Sequence, residues 1–402
     1  GAAGGYSALV QPTDLSANIM AKTLIISNAV AQDKTYDRTT DAVITGTLTG
    51  VITGDAVSVS GGGAFADWNV GVGKAVTPAL VLSGDDVGNY TLTPPTGLTA
   101  TISPAVLTAG LTGTVSKTYD GTTAAALAAG NYGLTGVVSG DTVGLNNPVS
   151  GSYDTKNAGS GKTVTVSGLS LTGSADVTAN YQLGATTITG SVGAISKLPL
   201  AITADKKSRT YGDANPVLTV SYSGFLNNEN ESVIYGLNVT TTADHSSNVG
   251  TYDITPGGAT ATNYAISYNT GTLTINKAPL TITADNKSRV YGDTNPALTV
   301  SYNGFKNNDN ATSVINGMTV TTTAVQASNV GTYAINASGA SAANYEITHV
   351  NGTLTIDKAP LTITADNTSR FYGDANPALT VSYNGLKNNE NATSVISGLN
   401  VT

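Results

Sequence analysis

The sequence predicts an all-β protein: a tandem array of immunoglobulin-like β-sandwich domains that forms an elongated rod. Short runs alternate apolar and polar residues and are rich in Thr, Val and Ile, which is typical of half-buried strands. Forty-six Gly and only 11% charged residues suit many short strands joined by tight turns. The whole pattern also recurs with a period of about eighty residues, the size of a small sandwich domain.

A six-residue joint that runs from an Ile to a Leu organises the chain. Around the joint at 275–280 the apolar residues change from odd to even positions, so the buried face switches there. In the later copies a Pro precedes the Leu, and we expect it to separate two strands because it lacks the N–H that a sheet ladder needs. So short a joint limits how far two domains can swing. The copies lie at 19–24, 102–107, 195–200, 275–280 and 356–361.

These joints divide the chain into repeats. Residues 1–19 are predicted to be the C-terminal hairpin of a preceding repeat and 358–402 the N-terminal half of a further one, so we expect a piece of a longer array. Lacking its later strands, that half should expose the inward faces of Leu379, Val381 and Tyr383. The repeats are named here repeat 1 (20–102), repeat 2 (103–195), repeat 3 (196–276), repeat 4 (277–357) and repeat 5 (358–402).

Two kinds of opening motif occur. Repeats 1 and 2 open with Lys-Thr-Tyr-Asp at 34–37 and 117–120, and continue through Gly-Asp, Asn-x-Gly and Asn-Tyr. Repeats 3, 4 and 5 open with Tyr-Gly-Asp-x-Asn-Pro, and repeats 3 and 4 share the later Asn-Val-Gly and Asn-Tyr elements. We interpret each opening tyrosine as a corner residue whose ring is buried and whose hydroxyl bonds a nearby backbone group. These tyrosines are Tyr36, Tyr119, Tyr211, Tyr291 and Tyr372.

Local patterns predict individual elements. Strands are expected at 217–222, 249–254, 297–302 and 330–335. Residues 347–356 are expected to form a hairpin around the Asn351-Gly352 dipeptide, a favoured tight turn. Almost no helix is expected, and the only candidate helical turns are 310–316 and its equivalents.

The motifs carry a family resemblance. The Lys-Thr-Tyr-Asp-Gly-Thr-Thr opening of repeat 2, with Gly-Asp and Gly-Asn-Tyr, resembles the YDG domain, although Arg38 replaces the Gly in repeat 1 and Ala158 the Val of Asn-Val-Gly in repeat 2. The Tyr-Gly-Asp-x-Asn-Pro repeats resemble the MBG domain of YGX type. The resemblance implies a segment of a large bacterial secreted or cell-surface protein, often a filamentous-haemagglutinin-like adhesin. It implies no catalytic residues.

Several function classes are disfavoured. A net charge of −8 disfavours nucleic-acid and anionic-membrane partners, and no apolar run is long enough to span a membrane. The chain has no Cys, so disulfides and thiolate metal sites are excluded. The two histidines, His245 and His349, occupy different places in their repeats, so no shared catalytic site based on histidine is expected. We predict that the chain is not an enzyme and binds no cofactor.

Acidic loops leave one metal hypothesis open. Each opening turn and a loop that follows it in repeats 3 to 5 supply oxygen ligands of the kind that Ca²⁺ prefers. The alternative interpretation is an Asx-stabilised turn beside a solvated loop, and no spacing matches a dedicated calcium loop. The candidate ligands are Asp213, Asn215, Glu229, Asp293, Asn295, Asp309, Asp374, Asn376 and Glu390.

The function that the sequence favours is structural. We expect an extracellular stalk that projects a distal binding region, with neighbouring repeats as its partners within this chain and any host or surface receptor bound outside it. One alternative is a self-assembling fibre or biofilm matrix in which exposed edge strands pair with other copies. A glycan-binding module is a weaker alternative, because only 6% of residues are aromatic. The lone Trp68 is an open candidate for a surface contact.

Overall fold

A computed structural model describes residues 16–226 and 228–402. The chain divides after Leu198 into two compact units, which are treated separately below. Nearly all regular structure is β, arranged as pairs of small sheets with the apolar side chains between them. The prediction of tandem immunoglobulin-like β-sandwiches is confirmed. Most of predicted segment 1–19 lies outside the described residues.

The first unit contains repeats 1 and 2. In repeat 1 the strands are β1 (Lys22–Ala31), β2 (Lys34–Thr35), β3 (Asp41–Ala42), β4 (Ile44–Thr49), β5 (Ser58–Phe65), β6 (Gly71–Ser83), β7 (Tyr90–Thr93) and β8 (Thr99–Ser103). In repeat 2 they are β9 (Ala105–Leu111), β10 (Val115–Thr118), β11 (Ala124–Ala126), β12 (Tyr132–Thr135), β13 (Gly144–Leu145), β14 (Ser150–Tyr153), β15 (Gly159–Ser167), β16 (Leu171–Thr172), β17 (Tyr181–Leu183) and β18 (Thr187–Ser196).

The second unit contains repeats 3, 4 and 5. In repeat 3 the strands are β19 (Leu198–Ala204), β20 (Lys207–Thr210), β21 (Val220–Ser223), β22 (Asn238–Thr241), β23 (Gly250–Gly257), β24 (Tyr264–Asn269) and β25 (Gly271–Asn276). In repeat 4 they are β26 (Ala278–Ala284), β27 (Lys287–Val290), β28 (Val300–Asn303), β29 (Thr319–Thr322), β30 (Gly331–Ser338), β31 (Tyr345–Val350) and β32 (Gly352–Asp357). Repeat 5 has β33 (Thr362–Ala365) and β34 (Val381–Asn384).

Repeat 4 illustrates the common topology. Its opening strand β26 lies between β28, which is antiparallel to it, and β31, which is parallel. The chain then crosses to the other sheet, of strand order β27-β32-β30-β29, where β27 runs parallel to the last strand β32. Fully buried Ile282, Ile335 and Leu354 fill the space between the sheets. Burying such side chains contributes about 1.5–3 kcal/mol each.

The joint between repeats 3 and 4 switches the buried face as predicted. Leu273 and Ile275 are buried before it, and Leu280 and Ile282 are buried after it. Only Lys277 separates β25 from β26, so the expected role of the proline in this joint is wrong. Pro279 lies within β26, where it needs no N–H toward β28 because that pairing begins only at Thr281. In the joint after repeat 1, Pro104 does separate β8 from β9.

The hairpin predicted around Asn351 is also wrong. β31 belongs to the sheet of β26 and β28, whereas β32 belongs to the sheet of β27 and β30, so Asn351 carries the chain from one sheet to the other. Gly352 is needed for close packing, because a Cβ atom there would lie 2.3 Å from the backbone oxygen of Ala284. The Asn-Gly pair therefore marks a sheet crossing.

Two strands begin later than the sequence predicted. β21 starts at Val220 and β28 at Val300, although alternation favoured starts at 217 and 297. Val217 is 82% exposed, because the chain after each Asn-Pro pair runs over the surface before it enters the sheet. The strands expected at 249–254 and 330–335 correspond to β23 and β30.

In the part of the chain that the structure describes, helix is limited to single turns. The predicted turn in repeat 4 is present at Ala311–Val314, where the Asn310 side chain caps backbone N–H groups of the first turn. Its equivalents are Glu231–Val233 in repeat 3 and Ala392–Val395 in repeat 5. Three turns were not predicted: Val87–Asn89, Ala129–Asn131 and Ala175–Thr178. The last of these precedes the Asn-Tyr pair of repeat 2.

Repeat 5 leaves apolar side chains in solvent. Leu379 is 46% exposed, Ile363 is 38% exposed, and Val381 and Tyr383 are half-buried. Its strands β33 and β34 pair only with each other. The predicted exposure is thus confirmed for Leu379, whereas Val381 and Tyr383 are only partly exposed.

Substituting Gly352 with Ala should destabilise repeat 4. The added Cβ would meet backbone, which cannot move aside cheaply, so we expect a loss of about 1–3 kcal/mol. Gly257→Ala is the matched control, because a Cβ there meets nothing within 4 Å. Hydrogen exchange of the amides in 277–357 measures the effect, and equal exchange in the two variants would contradict this packing role.

Candidate functional site

The sequence motifs meet at the boundary between repeats 3 and 4, named seam 3/4. The hydroxyl of Tyr211, from the opening turn of repeat 3, donates to Oδ2 of Asp309 in repeat 4 at 3.1 Å. The hydroxyl of Tyr345, from the Asn-Tyr pair of repeat 4, donates to the same oxygen at 2.7 Å. The two rings pack edge to face with centroids 5.5 Å apart. One carboxylate thus connects a tyrosine from each repeat.

The boundary between repeats 1 and 2, seam 1/2, has the same arrangement. Tyr36 of repeat 1 donates to Oδ2 of Asp141 at 2.8 Å, and Tyr181 of repeat 2 donates to it at 2.7 Å. Their rings are also edge to face, 5.4 Å apart. At seam 4/5, Tyr291 donates to Oε1 of Glu390 at 2.5 Å. Tyr36, Tyr211 and Tyr291 are called the bridging tyrosines below, and Asp141, Asp309 and Glu390 the bridging carboxylates.

An asparagine clasp lies beside each complete bridge. In seam 3/4 the side chain of Asn344 accepts from the backbone N–H of Val249 at 3.0 Å and donates to Oδ1 of Asn248 at 2.9 Å. In seam 1/2 the buried side chain of Asn180 accepts from the Val70 N–H at 2.8 Å and donates to Asn69 at 3.1 Å. The Asn-x-Gly and Asn-Tyr motifs are therefore two halves of one contact.

The joint itself is held from both sides. The Tyr211 N–H of repeat 3 donates to the Asn276 carbonyl at 2.8 Å, and the Ala278 N–H donates to the Asn344 carbonyl of repeat 4 at 3.0 Å. Bonds from Tyr36 to Ser103 and from Ala105 to Asn180 repeat this pattern in seam 1/2. Because fixed backbone bonds flank so short a connection, the joint has little freedom to bend.

Apolar packing continues through the seam. In the second unit the buried core of repeat 3, including Ile254 and Leu273, is continuous with that of repeat 4, including Leu280 and Ile335. Half-buried Val249 and Phe305 pack against this core. The seam is thus a continuation of the two sandwich cores.

Charged pairs lie at the rim of each seam. Lys306 of repeat 4 contacts Asp213 of repeat 3 at 3.3 Å, and Lys387 of repeat 5 contacts Asp293 of repeat 4 at 2.9 Å. The lysine stem covers the glycine before each aspartate: a Cβ on Gly212, whose φ is +80°, would lie 2.4 Å from Cβ of Lys306. Each residue of the Tyr-Gly-Asp motif therefore has a role in the seam. The tyrosine bonds the bridging carboxylate, the glycine leaves space for the lysine stem, and the aspartate pairs with the lysine ammonium group.

Seam 1/2 reverses the direction of its charged pair. Arg38 of repeat 1 places Nε 3.2 Å from Oδ1 of Asp141, whose side chain is only 4% exposed. Arg38 adopts φ +66°, a left-handed backbone conformation that residues other than Gly and Asn rarely adopt. The departure from the YDG pattern at this position thus places a cation on the bridging carboxylate.

The opening turn of repeat 3 is built around a buried arginine. Arg209 donates from Nε to Oδ1 of Asn215 at 2.8 Å, and Asn215 donates to the Ala243 carbonyl at 2.6 Å. Arg289 and Asn295 make the same contacts in repeat 4. The asparagine oxygens proposed as calcium ligands therefore face a guanidinium, whose charge opposes a second cation.

The structure separates the other calcium candidates. Asp213 and Asp293 pair with lysines of the next repeat. Glu229 accepts from Tyr264 of its own repeat, while Asp309 and Glu390 accept from bridging tyrosines. Asp374 and Asn376 lie in the exposed opening turn of repeat 5. Across 16–226 and 228–402, no three His or acidic side chains are grouped to hold a metal ion. Calcium binding stays an untested alternative to the predicted absence of a metal.

The opening tyrosines are corner residues with a different partner from the one expected. Tyr36, Tyr119 and Tyr211 are buried, as predicted, but the hydroxyls of the bridging tyrosines bond a carboxylate of the next repeat instead of nearby backbone. Tyr372 is fully exposed in repeat 5, and Trp68 is 45% exposed. The signal that could have revealed the bridge is spacing: tyrosine and carboxylate are 105, 98 and 99 positions apart in the three seams.

Two of the tyrosines that bond a bridging carboxylate, Tyr36 and Tyr345, have a raised pKa. Burial, together with the hydrogen bond to Asp141, raises the pKa of Tyr36 to about 12. Burial, with the bond to Asp309, also raises the pKa of Tyr345. A phenol that donates to a carboxylate resists ionisation, since a second negative charge would then lie beside the first. Tyr36 and Tyr345 therefore stay protonated throughout the physiological pH range.

Substituting Tyr211 with Phe should loosen seam 3/4. The carboxylate of Asp309 would lose one of its two phenol donors, a loss of about 1.5 kcal/mol or about tenfold in seam opening. Exchange of the Val249 amide, which donates across the seam, is the readout. Tyr268→Phe is the control, because that hydroxyl bonds only within repeat 3, at Ala259. An unchanged Val249 rate would refute the bridge.

Substituting Tyr36 with Phe should remove one phenol that titrates near pH 12. Since the pKa of Tyr36 is higher in the folded chain than its ordinary value of 10.0, its contribution to stability is complete below pH 10 and is lost as the pH rises to about 12. The measurement is the ultraviolet absorbance of phenolate, followed in wild type and variant from about pH 9 to about pH 13. The difference between the two titration curves gives the ionisation of Tyr36. If the phenol that is absent from the variant ionises with a midpoint at about pH 10, the ordinary value for tyrosine, the buried bridge is contradicted.

Comparison with known proteins gives little at the level of whole chains. A solved structure of protocadherin gamma B2 extracellular cadherin domains 3–6 is 8% identical, covers 84% of this chain and is itself 98% covered, with a TM-score of 0.17. That score is too low to support a shared arrangement. The comparison with curated proteins found no match.

Family models match most of the chain. The model of the YDG domain matches residues 20–97 and 103–189, that is, repeats 1 and 2. The model of the MBG domain (YGX type) matches 200–274, 280–355 and 361–402, in repeats 3, 4 and 5. The matches follow the order of the two opening motifs. The chain therefore carries YDG domains followed by MBG domains of the YGX type.

Proposed function

We propose that this chain is a stalk segment of a large bacterial secreted or cell-surface adhesin, where it holds a distal binding region away from the surface. The observation that carries the proposal is the seam: a carboxylate bridge, an asparagine clasp and a joint bonded on both sides connect repeat 1 to repeat 2 and repeat 3 to repeat 4. Each of these contacts restricts bending between domains, which is what a stalk requires. The YDG and MBG matches support an extracellular location.

The stalk is favoured over the self-assembling fibre by the edges of the sheets. The outer strands of the sheets are short, from two residues in β3 to six in β4, β24 and β31. Short edge strands are a common means by which natural proteins prevent pairing between molecules. Neighbouring repeats are thus the partners that the described surfaces fit, and a host receptor belongs to the distal region.

The glycan-binding alternative has less support. Such a module needs a platform of exposed aromatic rings, and Trp68 stands in repeat 1 without a counterpart in the other repeats.

Among the described residues no helix has the length and apolar character to cross a membrane.

Small-angle X-ray scattering of the chain tests the stalk. Four complete repeats of roughly 35 Å each should give a maximum dimension of about 140 Å, unchanged by dilution. The seam variant Tyr211→Phe should broaden the distance distribution, while Tyr268→Phe should not.

A compact wild-type particle would overturn the proposal. Filaments whose length grows with concentration would favour the fibre instead, and a specific signal on a glycan array would favour the binding module.

A further inference from the structure

Two positions in each seam carry the charged contacts at its rim. The first position is two residues after the bridging tyrosine and holds Arg38 in repeat 1, Asp213 in repeat 3 and Asp293 in repeat 4. The second position is three residues before the bridging carboxylate and holds Val138 in repeat 2 and Lys306 in repeat 4. It is called the facing position below.

The facing residues are structurally equivalent in the two seams. The backbone N–H of Val138 donates to the Tyr181 hydroxyl at 3.0 Å, and that of Lys306 donates to the Tyr345 hydroxyl at 2.9 Å. Each residue is thus fixed to the tyrosine that also binds the bridging carboxylate. The backbones at this position are therefore placed alike in both seams, but the side chains differ: Lys306 reaches Asp213 at the rim, whereas the half-buried Val138 packs against the apolar core of seam 1/2.

The seams differ in which repeat carries the positive charge. In seams 3/4 and 4/5 an aspartate in the leading repeat meets a lysine at the facing position. In seam 1/2 the leading repeat has Arg38, the facing residue Val138 is uncharged, and the guanidinium reaches the carboxylate of Asp141. An aspartate in place of Arg38 would instead bring a second negative charge to a carboxylate that is almost completely buried.

We propose that these two positions select which repeat can follow which. A leading Asp accepts a following repeat with Lys at the facing position, because the lysine neutralises it beside the bridging carboxylate. A leading Arg accepts a following repeat with an uncharged facing residue, because a Lys there would oppose the guanidinium. Discrimination thus comes from like-charge contacts in the wrong combination as well as from pairs in the right one. The partner surface is the end of a following repeat of matching charge.

A double-mutant cycle in the full 402-residue chain tests the selection. Arg38→Asp alone and Val138→Lys alone should each loosen seam 1/2, whereas Arg38→Asp with Val138→Lys rebuilds the aspartate–lysine pair of seam 3/4. The readout is exchange of the Val70 amide, which donates across seam 1/2 to Asn180. The Val249 amide of seam 3/4 is the internal control.

We expect each single variant to accelerate Val70 exchange by roughly fivefold or more at low salt, and the double variant to return within about twofold of wild type. The single-variant effects should shrink at high salt, because the contacts are electrostatic. Val249 exchange should not change.

Failure of the cycle is separable from failure of the stalk. Singles that leave Val70 exchange unchanged, or a double variant no slower than the faster single, would overturn the selection, even if scattering shows an extended particle. Unfolding of a variant is recognised by simultaneous loss of protection at the Phe65 amide, which donates to Thr40 within repeat 1, or at the Leu127 amide, which donates to Val149 within repeat 2. Asp213→Arg with Lys306→Val then provides the reciprocal cycle in seam 3/4, and recovery of Val249 protection in that pair is required for the proposal to stand.

Discussion

A carboxylate that accepts hydrogen bonds from two repeats is the interaction on which the seams depend. Removing such a group from water costs several kcal/mol unless its oxygens are bonded. Asp141 is 4% exposed, and its bonds come from Tyr36 of one repeat and Tyr181 of the next. If the repeats separated, the bridging tyrosine would leave and the carboxylate would have to be solvated again. The seam therefore opposes bending through a specific bond in addition to apolar contact.

Close backbone approach is the second constraint. Glycine is required where the lysine stem covers the opening turn and where the chain crosses between sheets at Gly352. Gly352 lies midway along repeat 4, where β26 and β31 end and β27 and β32 begin. The glycine of the opening turn lies at the seam, where any added atom would separate surfaces that the hydrogen bonds hold together. Packing at the ends and hydrogen bonding across them are thus two requirements on the same short motifs. This explains why Tyr, Gly and Asp stand together at the start of each MBG domain.

The sequence was sufficient to predict what depends on neighbours along the chain. Alternation predicted the sandwiches and the switch of the buried face, and the capping preference of Asn310 marked its helical turn. It was insufficient where a residue acts through a distant partner. Asn351-Gly352 has the composition of a tight turn, yet packing against Ala284 assigns its two strands to different sheets. Asn215 is a residue type that binds calcium, yet its side-chain oxygen accepts a hydrogen bond from the buried Arg209.

The contacts across the seam could not be predicted for the same reason: each motif is visible in the sequence, but its partner lies in another repeat. Asn-x-Gly, Asn-Tyr and the opening tyrosine were each interpreted as features of one domain, because a repeated motif is naturally assigned to the repeat that contains it. In a tandem array the end of one unit and the start of the next recur with the same period as the fold, so periodicity alone cannot distinguish a core motif from a contact motif. What distinguishes them is the partner: Asn248 and Asn344 are not part of either buried core, and their side chains bond each other across the seam. Polar residues that recur without a role inside their own domain are therefore the ones through which an array of this kind specifies its neighbours.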